Sequence, residues 1–386
     1  MAALPIIDLS TISEAQLASE LIRVGSDPGF FYVTGHGIAP GPAFELAREF
    51  FKVPRAEKTR YRNGSGDLGY TGMREESLAG MGPGDVKESF YLCDPSQRAL
   101  QELHPVLENG RDQLARFFTD TQALANRLLR AMEIGLEIPE GVLTEAHTGE
   151  ACRMRLINYP ATSTSAHDGA ADDVRAGEHT DYGSLTLLYR EPSDQGGLQV
   201  YQNGTWKDVP CFDDTIVVNI GDALEFWTAG RLRSTVHRVA FPRTASENVA
   251  RLSIPVFIQP DREVLLSPLK TSSSDALSGI VNDDPGDDKF PAALYHPRYT
   301  VEISHHVHPC DIYLRVVHDR TMNKATFDLR CSLPDKAVEP EISKQQTYGR
   351  SKGAATARAM YNILKLERDC EAIMPCSRRD TPAQLG

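Results

Sequence analysis

The sequence predicts a mainly β protein with flanking helices, built on an antiparallel sandwich or jelly roll. Many short strand candidates, separated by turn residues, follow one another between residues 152 and 260. One of these turns contains Asn203-Gly204, the dipeptide that favours a type I′ hairpin. Residues 1–150, in contrast, carry most of the helical periodicity. A β core with helices on its outside accounts for all three observations.

The chain begins with a strand, a helix and a second strand. "LPIID" at 4–8 and "GFFYVTGHG" at 29–37 are short β-rich runs, and the second ends in glycines. Between them, Ser13 and Gln16 have the spacing of a capping box, which predicts that a helix begins there. This is the start of an α/β shell that we expect to span residues 1–150.

Two further helices are predicted within this shell. The segment 41–54 is amphipathic and ends near Pro54. The longest helical region runs from Arg111 to about His147, with apolar residues at helical spacing. Such a stripe indicates a helix face that packs on the core.

The predicted β core spans residues 151–260. Its strand candidates are 152–160, 184–190, 197–202, 205–210, 215–221, 234–241 and 251–260. Residues 261–350 have mixed polarity and no clear period, so an irregular insertion of loops is expected there. A C-terminal helix is expected at 351–375. We interpret residues 1–386 as a single domain.

Composition limits the possible partners and location. The formal net charge is -12 and the sequence pI is about 5.4, which argues against nucleic acid or an anionic membrane as the main partner. No run approaches the roughly 18 apolar residues of a membrane span, and the N-terminus lacks a signal-peptide pattern. The seven cysteines form no CxxC pair. A reducing, cytoplasmic location is expected, and the sequence leaves the oligomeric state open.

"GEHTDYGSLTLLY" at 177–189 places two polar groups at the head of a strand-like run. On one strand, side chains at i and i+2 leave the same face, so His179 and Asp181 would point together. The alternative is a pair of loop polar residues that precede a strand. His237, in a later strand candidate, would complete the two-histidine, one-carboxylate triad of non-haem Fe(II) oxygenases.

A second pair of residues at i and i+2 is found in "ARLSIPVF". Arg251 and Ser253 would face the same interior, and a guanidinium beside a hydroxyl can clamp a carboxylate. The alternative is a buried arginine paired with one of the protein's own carboxylates. A metal triad nearby favours the clamp.

Taken together, "HTDYGSLTLLY", "GGLQVY", "VVNIGDALEFWT", "STVHRV" and "RLSIPVF" resemble the isopenicillin N synthase-like 2-oxoglutarate- and Fe(II)-dependent dioxygenases. "PIIDLS", "GFFYVTGHGI" and "DVKESFYL" are similar to the N-terminal region of that family. The resemblance covers roughly residues 4–260. It implies a double-stranded β-helix, which is a distorted jelly roll, with helices packed outside and a single catalytic domain.

The resemblance also implies roles for individual residues. His179, Asp181 and His237 match the iron ligands of the family. Arg251 and Ser253 match the residues that bind the distal carboxylate of 2-oxoglutarate. Tyr159, in "INYP", matches a tyrosine near the cosubstrate or the substrate.

There are departures from the family pattern. Ala229 replaces the asparagine that often follows the "WT" of the family, and the interval from His237 to Arg251 is long. Residues 262–345 have no counterpart that we can place.

The activity implied is oxidation of a small organic metabolite with O2, coupled to conversion of 2-oxoglutarate to succinate and CO2. Hydroxylation, desaturation and ring modification are all compatible with it, and specialised metabolism is typical of such enzymes. Two alternatives stay open: an iron oxidase that uses no 2-oxoglutarate, and a catalytically silent binding module. A second metal site at His305, His306 and His308 is a further hypothesis.

The substrate pocket is expected to be apolar. Its candidate lining residues are Tyr70, Met73, Phe90, Tyr91, Leu187 and Phe257.

Overall fold

The computed structural model describes residues 4–62, 68–78, 84–161, 174–192, 196–244, 246–262, 264–266 and 269, with the backbone of strands at 290–291, 301–307, 310–319 and 324–332. Within these residues, two β-sheets form the centre of the fold and helices lie on one side of it.

A β-α-β unit opens the chain, as predicted. Strands β1 (Ile6–Asp8) and β2 (Phe30–Thr34) pair in parallel, and helix α1 (Glu14–Ser26) connects them. The capping box is present: the Ser13 hydroxyl accepts from the backbone N–H of Gln16, whose side chain accepts from the backbone N–H of Ser13. The cap satisfies N–H groups that the first helical turn leaves unpaired.

Four more helices complete the shell: α2 (Gly41–Lys52), α3 (Arg55–Lys58), α4 (Pro105–Asn109) and α5 (Arg111–Leu136). Two strands, β3 (Gly69–Thr71) and β4 (Glu88–Leu92), lie between α3 and α4. Helix α5 ends earlier than the expected His147. Glu137 adopts a left-handed conformation with φ of 56°, and Pro139 follows, which together stop the helix.

The larger sheet has eight strands in the order β1-β2-β10-β7-β12-β5-β4-β3. Its central strands are β5 (Arg153–Tyr159), β7 (Leu185–Arg190), β10 (Ile216–Ile220) and β12 (Arg251–Ile258). Apart from the parallel β1–β2 pair, all of its ladders are antiparallel.

The smaller sheet has four strands in the order β6-β11-β8-β9. These are β6 (Val174–His179), β8 (Leu198–Gln202), β9 (Thr205–Asp208) and β11 (His237–Ala240). The predicted hairpin joins β8 to β9, and Asn203 and Gly204 both have positive φ, as a type I′ turn requires. Strand β6 lies at the edge of this sheet, and the register of its pairing with β11 shifts twice.

Successive side chains along the strands of the larger sheet point alternately to its two faces, one covered by the helices and the other by the smaller sheet. On β7, Leu185, Leu187 and Tyr189 join the core shared with the helices, whereas Leu188 packs with residues of the smaller sheet. Each fully buried Leu or Phe side chain contributes roughly 1.5–3 kcal/mol to this packing. Two facing sheets with helices outside one of them form the predicted distorted jelly roll, so the fold class is confirmed.

Beyond residue 260 the backbone is more regular than expected. Strands β13 (Leu265–Leu266) and β14 (Phe290–Pro291) pair, and β15 (Val301–Val307), β16 (Cys310–Asp319) and β17 (Lys324–Ser332) form an antiparallel sheet. The expected irregular insertion at 261–350 therefore contains strands. Period-2 alternation is present in the sequence, but the histidines at 305 and 306 interrupt it. The helix expected at 351–375 lies outside the described residues.

None of the helices in the described part of the chain combines the length and apolar character that a membrane span requires. The short helix α6 (Asp222–Trp227) follows β10 and was not predicted from the sequence.

Candidate metal centre and cosubstrate site

Three side chains from distant parts of the chain converge between the two sheets. His179 is the last residue of β6 and His237 the first of β11, and their Cα atoms are register partners in the smaller sheet. The ligating atoms of His179, Asp181 and His237 all lie within 4.8 Å of one another. Among the described residues, these three form the one cluster of side chains that could hold a metal ion.

The expectation that His179 and Asp181 share one strand was wrong. Strand β6 ends at His179, and Asp181 lies in the turn before β7. Gly183 allows this turn to pack closely, since a Cβ there would lie 2.6 Å from the backbone oxygen of Ile258. The backbone N–H of Asp222 donates to the carbonyl of Asp181 at 2.7 Å, which fixes the turn against α6.

Both imidazoles are oriented for metal binding by backbone carbonyls. Nδ1 of His179 donates to the carbonyl of Gly177 at 2.7 Å, and Nδ1 of His237 to that of Thr235 at 3.2 Å. Each Nε2 then keeps its lone pair, and these atoms lie 3.8 Å and 3.7 Å from Oδ1 of Asp181. One divalent ion with bonds of about 2.1 Å can span such separations, so the donor set fits Fe(II).

The second oxygen of the Asp181 carboxylate is held by two buried donors. Oδ2 accepts from the Thr186 hydroxyl at 2.6 Å and from the Asn219 side-chain amide at 2.8 Å. Oδ1 is thereby turned toward the imidazoles. Thr186 and Asn219 were missed in the sequence, although their alternation with core residues on β7 and β10 placed both on the inner face.

The site favours the protonation states that bind a cation. Burial, followed by the charge of His237, lowers the pKa of His179 to about 3. Burial raises the pKa of Asp181, but His237, His179 and the hydrogen bonds from Thr186 and Asn219 outweigh it and bring the pKa below its ordinary value. Near neutral pH the imidazole of His179 is therefore neutral and the carboxylate of Asp181 is ionised.

Arg251 is buried at the start of β12 without a carboxylate partner among the described residues. Its Nη1 donates to the carbonyl of Gly196 at 3.1 Å, its Nε has no partner, and its guanidinium carbon lies 4.8 Å from the centroid of the Tyr159 ring. Ser253 is buried two residues along the same strand. The described residues thus do not support the alternative of a structural ion pair at Arg251.

A buried ionic network borders the triad and was not anticipated. The Lys87 ammonium pairs with Asp85 and Glu76, and Glu76 also pairs with Arg155. Oδ1 of Asp85 accepts from the backbone N–H of Gly177 at 3.2 Å. Because Gly177 also accepts from His179, this network supports the ligand strand from the side of β4.

The pocket candidates divide between the two faces of the larger sheet. Tyr70, Phe90 and Leu187 belong to the core shared with the helices, so they do not face the metal centre. The rings of Tyr91 and Phe257 lie on the other face, half-buried, with centroids 6.3 Å apart. Met73 lies in a half-buried turn. The hypothetical site at residues 305–308 lies outside the described side chains.

Two family models match the chain. A model described as the 2OG-Fe(II) oxygenase superfamily matches residues 151–260, which hold the triad, Arg251 and Ser253. A model described as non-haem dioxygenase in morphine synthesis N-terminal matches residues 4–109.

Similar proteins include the UPF0676 protein C1494.01 of Schizosaccharomyces pombe, which is 35% identical over 69% of this chain and 84% of that protein. The 2-oxoglutarate-dependent dioxygenase traH of Penicillium crustosum is 27% identical over 72% of this chain and 91% of its own length. Among solved structures, a full-length Neurospora crassa protein in complex with alpha-KG and thymine has a TM-score of 0.64 and 26% identity, covering 76% of this chain and 94% of that one.

Proposed function

Because this chain belongs to the 2OG-Fe(II) oxygenase superfamily and is a 2-oxoglutarate-dependent dioxygenase, we propose that it oxidises a small organic metabolite at the centre formed by His179, Asp181 and His237. The observation that carries this proposal is the convergence of the three ligand atoms within 4.8 Å, beside a buried guanidinium that lacks a carboxylate partner among the described residues.

Each site residue then has a physical role. His179, Asp181 and His237 hold the iron, and Thr186 and Asn219 orient the carboxylate. Arg251 binds the distal carboxylate of 2-oxoglutarate, with Ser253 and Tyr159 beside it. When bound together, Fe(II), 2-oxoglutarate and O2 supply the oxidising chemistry, with release of succinate and CO2.

Burial of the pocket sets the conditions for that chemistry. Asp181 and His237 are each 8% exposed and Arg251 is 3% exposed, so water has little access to these three side chains, whereas His179 is only half-buried. The low local dielectric strengthens the pairing of Arg251 with a carboxylate. The charge of Asp181 offsets part of the charge of Fe(II).

A small substrate suits the half-buried rings of Tyr91 and Phe257 on the inner face of the larger sheet. The Neurospora crassa protein was solved in complex with thymine, which is a compact planar molecule. Hydroxylation of a small planar or aromatic metabolite is thus the reaction we favour. A role in specialised metabolism and a cytoplasmic location belong to the same proposal, and three free thiols at Cys93, Cys152 and Cys211 agree with a reducing compartment.

The test uses the purified Fe(II) protein, 2-oxoglutarate and a library of small metabolites, mixed without O2 and analysed by mass spectrometry after O2 is admitted. We expect formation of succinate that depends on 2-oxoglutarate, and a gain of about 16 mass units or a loss of about 2 in one metabolite, as the products of hydroxylation and desaturation require. O2 uptake without any need for 2-oxoglutarate would instead indicate an iron oxidase.

A further inference from the structure

Arg175, on β6, is the largest of the fully buried side chains, with 0% exposure. Its Nε and Nη1 have no hydrogen-bond partner, and its Nη2 makes a single long contact of 3.5 Å with Oδ1 of Asn248. Its guanidinium carbon lies 5.4 Å from the centroid of the Phe241 ring. Within the described residues no carboxylate pairs with it.

Other buried arginines of the described chain are better satisfied. Arg111 donates to Glu108 and to the carbonyls of Pro95 and Gln101. Arg190 donates to the carbonyls of Val209 and Pro210. Arg155 and Arg251 each have one unpaired nitrogen, so among the buried arginines of the described chain two unpaired nitrogens occur at Arg175 alone.

The strand segments that carry Arg175 and Arg251 both pack against Tyr159. Arg251 stacks over the Tyr159 ring, and the backbone of Arg251 is the register partner of Tyr159. Ala176, the residue after Arg175 on β6, packs in one buried cluster with Tyr159. Burial, and to a smaller extent the charge of Arg175, lowers the pKa of Arg251. Two buried guanidinium groups are thus carried by strand segments that both pack at Tyr159, and their like charges disfavour each other.

Burying two unpaired cations near each other is unfavourable unless an anion compensates their charge. A carboxylate can accept about four hydrogen bonds, and a single guanidinium group that binds both of its oxygens uses about two of them. The Nε of Arg251 and the Nε and Nη1 of Arg175 are the free donors available to it.

We propose that Arg175 binds the distal carboxylate of 2-oxoglutarate together with Arg251, so that two guanidinium groups hold one carboxylate. This inference rests on the proposed function. It adds a cosubstrate-binding residue from the smaller sheet to a site otherwise formed by β5 and β12.

The test is an anaerobic binding titration of the Fe(II)-loaded protein, with 2-oxoglutarate as one probe and pyruvate, which lacks the distal carboxylate, as the other. Arg175→Met should raise the Kd for 2-oxoglutarate by about 10- to 100-fold, the effect of losing charge-assisted hydrogen bonds. The Kd for pyruvate should change by less than about twofold, because pyruvate does not reach Arg175. Arg175→Lys keeps the charge and should lie between Arg175→Met and the wild type.

Arg111→Met is the matched control, because it removes a buried arginine that contacts only its own region of the shell. It should lower the melting temperature and leave both Kd values unchanged. An unchanged Kd for 2-oxoglutarate in Arg175→Met, or an equal weakening of both probes, would overturn the inference in favour of a substrate-binding or structural arginine.

Two further outcomes are distinguishable. A wild-type protein that binds neither probe would overturn the proposed function itself. If Arg175→Met does not fold, the ratio of the two Kd values in Arg175→Lys decides, since an unchanged ratio contradicts a direct contact with the distal carboxylate.

Discussion

Asn219 donates a hydrogen bond of 2.8 Å to Oδ2 of Asp181, on the side of the carboxylate that faces away from the two imidazoles. The Thr186 hydroxyl donates to the same oxygen. Thr186 and Asn219 lie on strands of the larger sheet. The two histidines of the triad lie on strands of the smaller sheet. The carboxylate therefore connects the two sheets at the metal centre.

Asn219→Ala is expected to weaken metal binding by about 10- to 100-fold, because loss of an orienting hydrogen bond lets the Asp181 carboxylate rotate. The measurement is an anaerobic competition between the protein and a chelator for Fe(II). Asn158→Ala is the control: it removes a half-buried amide that donates to Glu88 at 2.9 Å on the other face of the sheet. Equal losses in both variants would contradict the role of Asn219.

His179→Ala and His237→Ala should each abolish formation of succinate while the far-UV circular dichroism is retained, since each removes one of three ligands from a site between intact sheets. Metal content should fall in parallel. His36→Ala is the comparison, because the side chain of His36 is buried and packs against Tyr189 on the helix-facing side. Normal turnover in either ligand variant would exclude the assignment.

Arg251→Leu should raise the apparent KM for 2-oxoglutarate by at least roughly 30-fold, because truncating one partner of a buried charge pair costs about 2–5 kcal/mol. The melting temperature of the wild type should rise with added 2-oxoglutarate, and this rise should be absent in the variant. An unchanged requirement for the 2-oxo acid would point to an oxidase in which Arg251 binds the substrate.

Asp85→Asn is expected to destabilise the protein by about 3–5 kcal/mol, since it leaves the buried Lys87 ammonium with one carboxylate fewer. Adding Lys87→Met should restore part of that loss. A urea double-mutant cycle on the metal-free protein measures the coupling. Strictly additive effects of the two substitutions would show that the pair does not interact.

The free energy of unfolding should fall as the pH drops from about 7.5 to about 5.5. Burial lowers the pKa of His147 below 6.5, although the Leu143 carbonyl opposes this shift. The unfolded chain takes up a proton near pH 6.5 that the folded chain resists, so stability present above that pH is lost below it. His147→Gln should reduce the slope by up to about 1.4 kcal/mol per pH unit in urea titrations; an unchanged slope would contradict this.

The β core could be predicted because its alternation is regular. On β7 and β12 every second residue is apolar and packs against the helices, and the Asn203-Gly204 turn is specific to one hairpin geometry. Strand β6 was missed since "VRAGEH" contains two small residues and two charges, and its pairing is irregular. Its position is set by tertiary contacts that no local pattern encodes.

The same limit applies to the site. The residue types at His179, Asp181, His237 and Arg251 indicated the chemistry, because few other roles require that set. The placement of Asp181 in a turn depends on close packing at Gly183 with β12, a contact between residues far apart in sequence. Arg175 gave no signal in the sequence, since only its burial without partners distinguishes it from a surface arginine.

The edge position of β6 has a consequence for the iron-free protein. An ion bound by both histidines would cross-link the end of β6 to β11, where the register shifts leave the backbone pairing weak. Chelation of iron should therefore speed amide hydrogen exchange in β6 first, while the eight-stranded sheet keeps its protection. Loss of the metal would then open β6 locally, before the protein unfolds as a whole.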